Sequence, residues 1–252
     1  FDGIVCTDWG LLTTRQFGGG IMEARAWGVE HLSQLERAVR CLEAGVDQFG
    51  GEDCPEVIVE AVQRGLVSQA RVDQSVRRIL REKFVLGLFD NPYLDPDHAE
   101  ATVGRPDFVA AGAAAQRQAI TLLKNGFAAG APALPLQGRP RIFTEGIAPD
   151  VAARYGQLVS TPSEADYVLV RLATPYEPRP GFLESRIHSG RLDLPTAERE
   201  RLLALLSCAP GIVCIYLDRP AVIPEIAAAS AALLADFGAS DAAVLDVIFG
   251  HA

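Results

Sequence analysis

Apolar and polar positions along this chain follow two alternating periods. Phe1, Ile4, Val5 and Cys6 form a short apolar run, the pattern of a strand covered on both faces, and Thr7-Asp8-Trp9-Gly10 breaks it into a loop. Leu35, Ala38, Val39 and Leu42 then fall at helical spacing, with Gly45 as a stop. Val46 to Phe49 is short enough for a buried strand, and Pro55 opens a helix that carries Val57, Ile58, Ala61 and Val62 to Gly65. Strand, helix, strand, helix implies parallel strands joined by right-handed crossovers, in an open sheet or a barrel.

The stretch RVDQSVRRILREKFVLGLFDNPYLD predicts a further helix, with Val72, Val76, Ile79, Leu80 and Phe84 on one face, Asp73 as its cap and solvated arginines opposite. Residues 91–106 turn to Pro, Asp, Gly and His and read as a linker. Ala111 to Leu123 is helical again. Beyond it, strands are expected at Arg141–Thr144, Tyr167–Leu172, Ile212–Leu217 and Ala232–Phe237, with helices near Pro149–Tyr155, Thr196–Leu206 and Ser240–Phe249. The fold class is α/β, and the second region is a doubly wound layer sandwich with a mainly parallel sheet.

Composition narrows the function. The 252 residues are 49% hydrophobic and 22% charged, an ordinary globular balance with length for one large or two medium domains. A net charge of −9 argues against a surface that tracks nucleic-acid phosphates, so a neutral or weakly charged ligand is expected. The five cysteines (Cys6, Cys41, Cys54, Cys208, Cys214) show no C-x-x-C spacing and are expected as reduced core thiols. The four histidines show no metal-ligand spacing, so neither a metal nor another cofactor is indicated, and no apolar run reaches the length of a membrane helix.

Candidate chemistry concentrates in two places. Asp8 stands where a strand becomes a loop, beside Trp9. The segment after Leu172, ATPYEPRPGFLESRIHSGRLDL, is longer than most loops, leaves the carboxyl end of a strand, and mixes aromatics and arginines with Glu177 and Glu184. Gly50-Gly51-Glu52-Asp53 offers either a ligand contact or a helix cap by Asp53. Gly18-Gly19-Gly20 lacks the residues of a phosphate loop and reads as a flexible part of the neighbouring loop. Asp236-Phe237-Gly238 reads as a strand end and turn. His31, His98 and His188 form no dyad that spacing identifies.

Four stretches in order resemble glycoside hydrolase family 3, of the two-domain beta-glucosidase type: FDGIVCTDWG, RVDQSVRRILREKFVLGLFDNPYLD, AAAQRQAITLLKNG with LPL, and the run from LDLPTAERERLLALL through GIVCIYLDRP to AVLDVIFG. The resemblance implies the C-terminal remnant of a (β/α)8 barrel in residues 1–93, a linker at 94–106, and a partial α/β/α layer sandwich in 107–252. It implies that the chain starts at the seventh barrel strand, stops before the last sandwich strands, and by itself lacks activity and exposes apolar surface.

The resemblance further implies a retaining, exo-acting beta-glycosidase, most simply a beta-glucosidase, acting on an oligosaccharide or an aryl or alkyl glycoside. Asp8 would be the nucleophile, with Glu177 as acid/base and Glu184 as the second candidate for that role. A retaining mechanism needs one carboxylate to attack the anomeric carbon and one carboxyl to assist the leaving oxygen. Trp9 would offer a sugar its ring face, Arg179 would orient a carboxylate or a sugar hydroxyl, and Tyr176 and Phe182 would give the acid apolar cover. The alternatives are a beta-N-acetylhexosaminidase of the same family and a non-catalytic carbohydrate-binding relative. Oligomeric state and localisation stay open.

Overall fold

The computed structural model describes residues 1–17, 20–126, 130–180 and 184–251. Gly18, Gly19, Phe182 and the Glu184 side chain, on which expectations fell, lie outside the described residues. The chain divides into two compact units, Phe1–Ala99 with Pro180–Arg186, and Glu100–Arg179 with Ile187–Ala252.

In the first unit, the two expected strands meet as one parallel bridge, Cys6 to Gln48. Thr7 N donates to Gln48 O at 3.0 Å, and Asp47 N to Val5 O at 2.8 Å. The apolar runs are short, and a parallel pair needs neighbours on both edges to extend into a ladder. A hairpin that the apolar pattern did not predict follows, β1 (Arg15–Phe17) against β2 (Gly20–Met22).

Helix α1 (Gln34–Glu43) starts on a capping box between Ser33 and Glu36, and α2 (Pro55–Gln63) starts at Pro55 as expected. Asp53 does not cap α2, whose N-cap is Cys54 with no side-chain bond. Ala38 and Leu42 of α1 and Val57 and Ala61 of α2 are buried, with Leu35, Phe49 and Ile58 packed around them.

Helix α3 (Gln69–Val85) corrects two expectations. Its cap is Ser68, which accepts from Arg71 N, so Asp73 sits inside the helix. Its buried residue is Ser75, while Val76, Leu80 and Phe84 are 45%, 39% and 64% exposed. The arginines expected to be solvated hold it in place instead. Arg71 donates to Leu42 O, Val46 O and Ser75 Oγ, and Arg78 reaches both oxygens of Asp47, a carboxylate buried to 6% exposure. Ionic and carbonyl contacts fix this helix, and among the described residues its apolar stripe is left largely uncovered. A short helix, α4 (Pro96–Thr102), lies within the stretch read as a linker.

In the second unit, α5 (Pro106–Ala119) ends before Thr121, and the residues expected to continue it form β3 (Thr121–Asn125). The β-branched Thr121 after Ile120, whose backbone is already extended, turns the apolar run into an edge strand. Then come β4 (Arg141–Glu145), α6 (Pro149–Ala152), β5 (Gln157–Leu158), β6 (Tyr167–Ala173), α7 (Thr196–Leu206), β7 (Gly211–Tyr216), α8 (Pro224–Ala229), β8 (Ala232–Asp236) and α9 (Asp241–Ile248). The sheet order is β3-β8-β7-β6-β4-β5, parallel throughout except for β3 against β8.

Both faces of this sheet are covered. Val168 and Val170, Val213 and Ile215, Leu233 and Ala235 point to one core with Leu202, Leu205 and Leu206 of α7 and Ile226 of α8. Leu169, Ile212, Cys214 and Leu234 point to the other, with Val244, Leu245 and Ile248 of α9. This is the period-2 pleat of a central parallel sheet, buried on both sides. Lys124 Nζ donates to Ala227 O, Ala228 O and Ser230 O, closing the carbonyl end of α8.

The chain leaves β4 toward one sheet edge, at β5, and returns to β6 on the other side, so the strand order, though not the strand direction, reverses between β4 and β6. Ligands of such sheets approach the carboxyl ends of strands at that reversal. The long excursion after β6 starts there.

Candidate active site

Asp8 follows the Cys6–Gln48 bridge and keeps its carboxylate exposed, at 67% for the side chain. Trp9 N donates to Oδ1 at 2.7 Å, and Arg25 supplies Nη1 to Oδ2 at 2.7 Å and Nη2 toward Oδ1 at 3.5 Å. Arg25 N in turn donates to Gly10 O at 2.8 Å, so its backbone and guanidinium both grip the Asp8 turn.

Glu52, adjacent to the glycine pair, does what neither a cap nor a sugar contact would do. Its side chain is 1% exposed and accepts Leu12 N at 2.7 Å, Thr13 N at 3.3 Å and Thr13 Oγ1 at 2.5 Å, with Arg15 Nη2 3.5 Å away. A buried carboxylate with several donors fastens the loop that follows Asp8. Thr7 Oγ1 accepts Gly50 N at 2.8 Å, and Gly10 N donates to Gly50 O at 3.1 Å. A Cβ on Gly51, whose φ is +64°, would overlap the Trp9 indole. The glycine pair therefore serves as the bed for a tryptophan that stays 58% exposed.

Glu177 belongs to the second unit, on the excursion after β6. Its N donates to Ser189 O at 2.8 Å, Arg191 N donates to its Oε2 at 3.3 Å, and the Gly190 backbone, at φ +78°, lies so close that a Cβ there would overlap the glutamate side chain. Glu177 is an exposed residue, as is Arg179. Tyr176 does not cover Glu177; it stacks on His188, with ring centroids 3.8 Å apart and planes at 11°. His188 Nδ1 is 2.5 Å from Asp218 Oδ2, a dyad that spacing did not show because its members stand 30 residues apart. Burial pushes the Asp218 carboxyl up, yet the hydrogen bond and charge of His188 and a hydrogen bond from Thr174 hold it below the usual carboxylate range.

Asp236 ends β8 as a turn, fully buried, accepting from Gly238 N, Ala239 N and Arg171. All five cysteines are free; Cys54 and Cys214 are buried, but Cys6 and Cys208 are exposed and so are not core thiols.

Comparison with known structures bears on the fold alone. The chain superposes on beta-glucosidase from Listeria innocua, solved in complex with isofagomine, with a TM-score of 0.75 at 21% identity, covering 100% of this chain and 39% of that one. Sequence comparison goes further. The chain is 49% identical over 251 residues to a probable beta-glucosidase C of Aspergillus flavus, covering 99% of this chain and 39% of that protein. It is 35% identical over 267 residues to a periplasmic beta-glucosidase/beta-xylosidase of Dickeya chrysanthemi, covering 100% of this chain and 40% of that protein. No protein-family model matches. The chain is thus a sequence relative of beta-glucosidases and spans about two fifths of the length of the curated relatives it matches.

Proposed function

We propose that the protein is a retaining, exo-acting beta-glycosidase of glycoside hydrolase family 3, with a beta-glucoside as substrate, Asp8 as nucleophile and Glu177 as acid/base. One observation supports it above the rest. In a chain 49% identical to a probable beta-glucosidase, an exposed carboxylate is aimed by a guanidinium and a backbone N–H at the end of a strand segment, where barrel enzymes hold their catalytic groups.

In this reading an Asp8 oxygen attacks the anomeric carbon and forms a glycosyl ester as the glycosidic C–O bond breaks. The Glu177 carboxyl gives its proton to the departing oxygen. The Glu177 carboxylate then takes a proton from water, whose oxygen attacks the same carbon and releases Asp8. Two inversions retain the β configuration, and the proton returns to Glu177. The Asp8 turn supplies an exposed indole for a sugar face, and Arg179 orients a sugar hydroxyl or a carboxylate.

The relatives named above carry glucosidase or glucosidase/xylosidase names, which favours this reading over a hexosaminidase or a non-catalytic sugar binder, and makes a β-xyloside the second substrate to try. The Listeria innocua protein has also been solved in complex with glucose. Incubating the full-length natural protein with a 2-deoxy-2-fluoro-β-glucoside carrying an activated leaving group tests the assignment. A covalent adduct mapped to Asp8 is expected, and labelling of another carboxylate, or none with turnover intact, refutes it. The 252 residues by themselves are expected to hydrolyse no aryl β-glucoside.

A further inference from the structure

The excursion that carries Glu177 is exposed, yet it is pinned at several points. Tyr176 is 45% exposed and the His188 side chain 37%, so burial alone does not hold their stack. What orders the imidazole is Asp218, just past the end of β7, whose Oδ2 receives Nδ1–H at 2.5 Å. A carboxylate can only accept here, so the hydrogen lies on Nδ1 and the ring plane is set. The residue after Tyr176 is Glu177, and the residue after His188 is Ser189, whose carbonyl takes Glu177 N at 2.8 Å. Next, Gly190 lies under the glutamate side chain, its carbonyl held by Arg219 Nη2 at 2.8 Å, and Arg191 N reaches Glu177 Oε2 at 3.3 Å. Thr174 ties the start of the same segment to β7, with Oγ1 2.6 Å from Tyr216 O.

We propose that His188 and Asp218 are positioning residues for Glu177: the dyad fixes the ring on which Tyr176 stacks, and through that stack and the Glu177–Ser189 bond it sets the direction of the Glu177 carboxyl. Neither residue touches the reacting atoms. The proposal rests on Glu177 being the acid/base. The bond from Asp218 and the ring stack are separable contributions, since either can be removed while the other is kept.

The test uses the full-length protein with two substrates, 2,4-dinitrophenyl β-glucoside, whose leaving group needs no proton, and methyl β-glucoside, whose leaving group does. A misdirected acid lowers kcat/KM, which reports formation of the glycosyl ester, on the second substrate and spares it on the first, while release of the ester slows alike for both; loss of folded protein lowers both kcat/KM values equally. Asp218→Ala, which removes the acceptor, and His188→Phe, which keeps a ring for the stack without the bond, are expected to lower kcat/KM on methyl β-glucoside about 10- to 100-fold relative to the dinitrophenyl substrate. His188→Asn, which retains a donor for Asp218 but no ring, should show the same split, because the stack is also required. Glu177→Ala serves as the reference. If it shows the split and the Asp218 and His188 variants do not, the acid assignment stands and the positioning role is overturned. If Glu177→Ala leaves the two rates in their original ratio, the acid assignment fails and the positioning role falls with it.

Discussion

Arg25 and Asp8, 17 residues apart in sequence, form a forked ion pair, with Nη1 at 2.7 Å from Oδ2 and Nη2 at 3.5 Å from Oδ1. The fork fixes the carboxylate plane, which a lysine ammonium cannot do. In the full-length protein, Arg25→Ala is expected to lower kcat on an aryl β-glucoside by roughly 10- to 100-fold, the worth of one hydrogen bond to a charged group. Arg25→Lys should recover part of the loss, and added guanidine should partly rescue Arg25→Ala. Steady-state kinetics equal to wild type would remove Arg25 from the reaction.

Gly51→Ala is expected to disturb Trp9. The φ of +64° strains any side chain, by about 1–2 kcal/mol, and the added methyl must displace the indole. KM for glucosides should rise while the protein still melts cooperatively. Unchanged KM would show that the exposed indole contacts no substrate.

Asp47 ties the Val5 segment to α3, and its loss is expected to loosen the first unit. Burial pushes this carboxyl up, but hydrogen bonds from Val5 N, Ser75 and Arg78 and the Arg78 charge prevail and hold it below the usual range. Arg78 is itself 25% exposed, so Asp47→Asn should cost about 2–3 kcal/mol at pH 7, less than a fully dry pair. Because the folded-state value is depressed, the contribution is present above about pH 4, near the unfolded value, and fades as pH falls through the folded value. Denaturant unfolding of wild type and variant between pH 7 and pH 3 should therefore converge at the acid end. A gap that stays constant with pH would contradict the linkage.

Leu234 is fully buried in the centre of the parallel sheet, among Leu169, Cys214 and the residues of α9. Leu234→Ala is expected to cost about 2–5 kcal/mol through lost burial and the cavity left behind. Thermal unfolding checks it; a shift below 1 °C would mean that the site collapses around the missing methyls.

Much of the second unit was legible from its letters. Strands β4, β6, β7 and β8 fall within a residue of their apolar runs, because a strand buried on both faces leaves an uninterrupted apolar signature bounded by turn residues. Helices α1 and α2 were legible through apolar spacing, Pro55 and the terminal glycines. Asp8 and Glu177 stood out because each follows a predicted strand end, and position along a strand is local information. The partners of these carboxylates were not legible. Arg25, Glu52 and the His188–Asp218 pair come together only through chain reversals whose angles no local pattern encodes. The stripe on α3 misled for the same reason: periodicity says which residues share a face, but only tertiary packing decides whether anything covers it, and here Asp47 drew the arginine side inward instead. Sequence alone determined where the buried parallel strands of the second unit end and that Asp8 and Glu177 follow apolar runs; the folded chain decided which cations, rings and backbone groups aim them, since those contacts depend on distances through space and not along the chain.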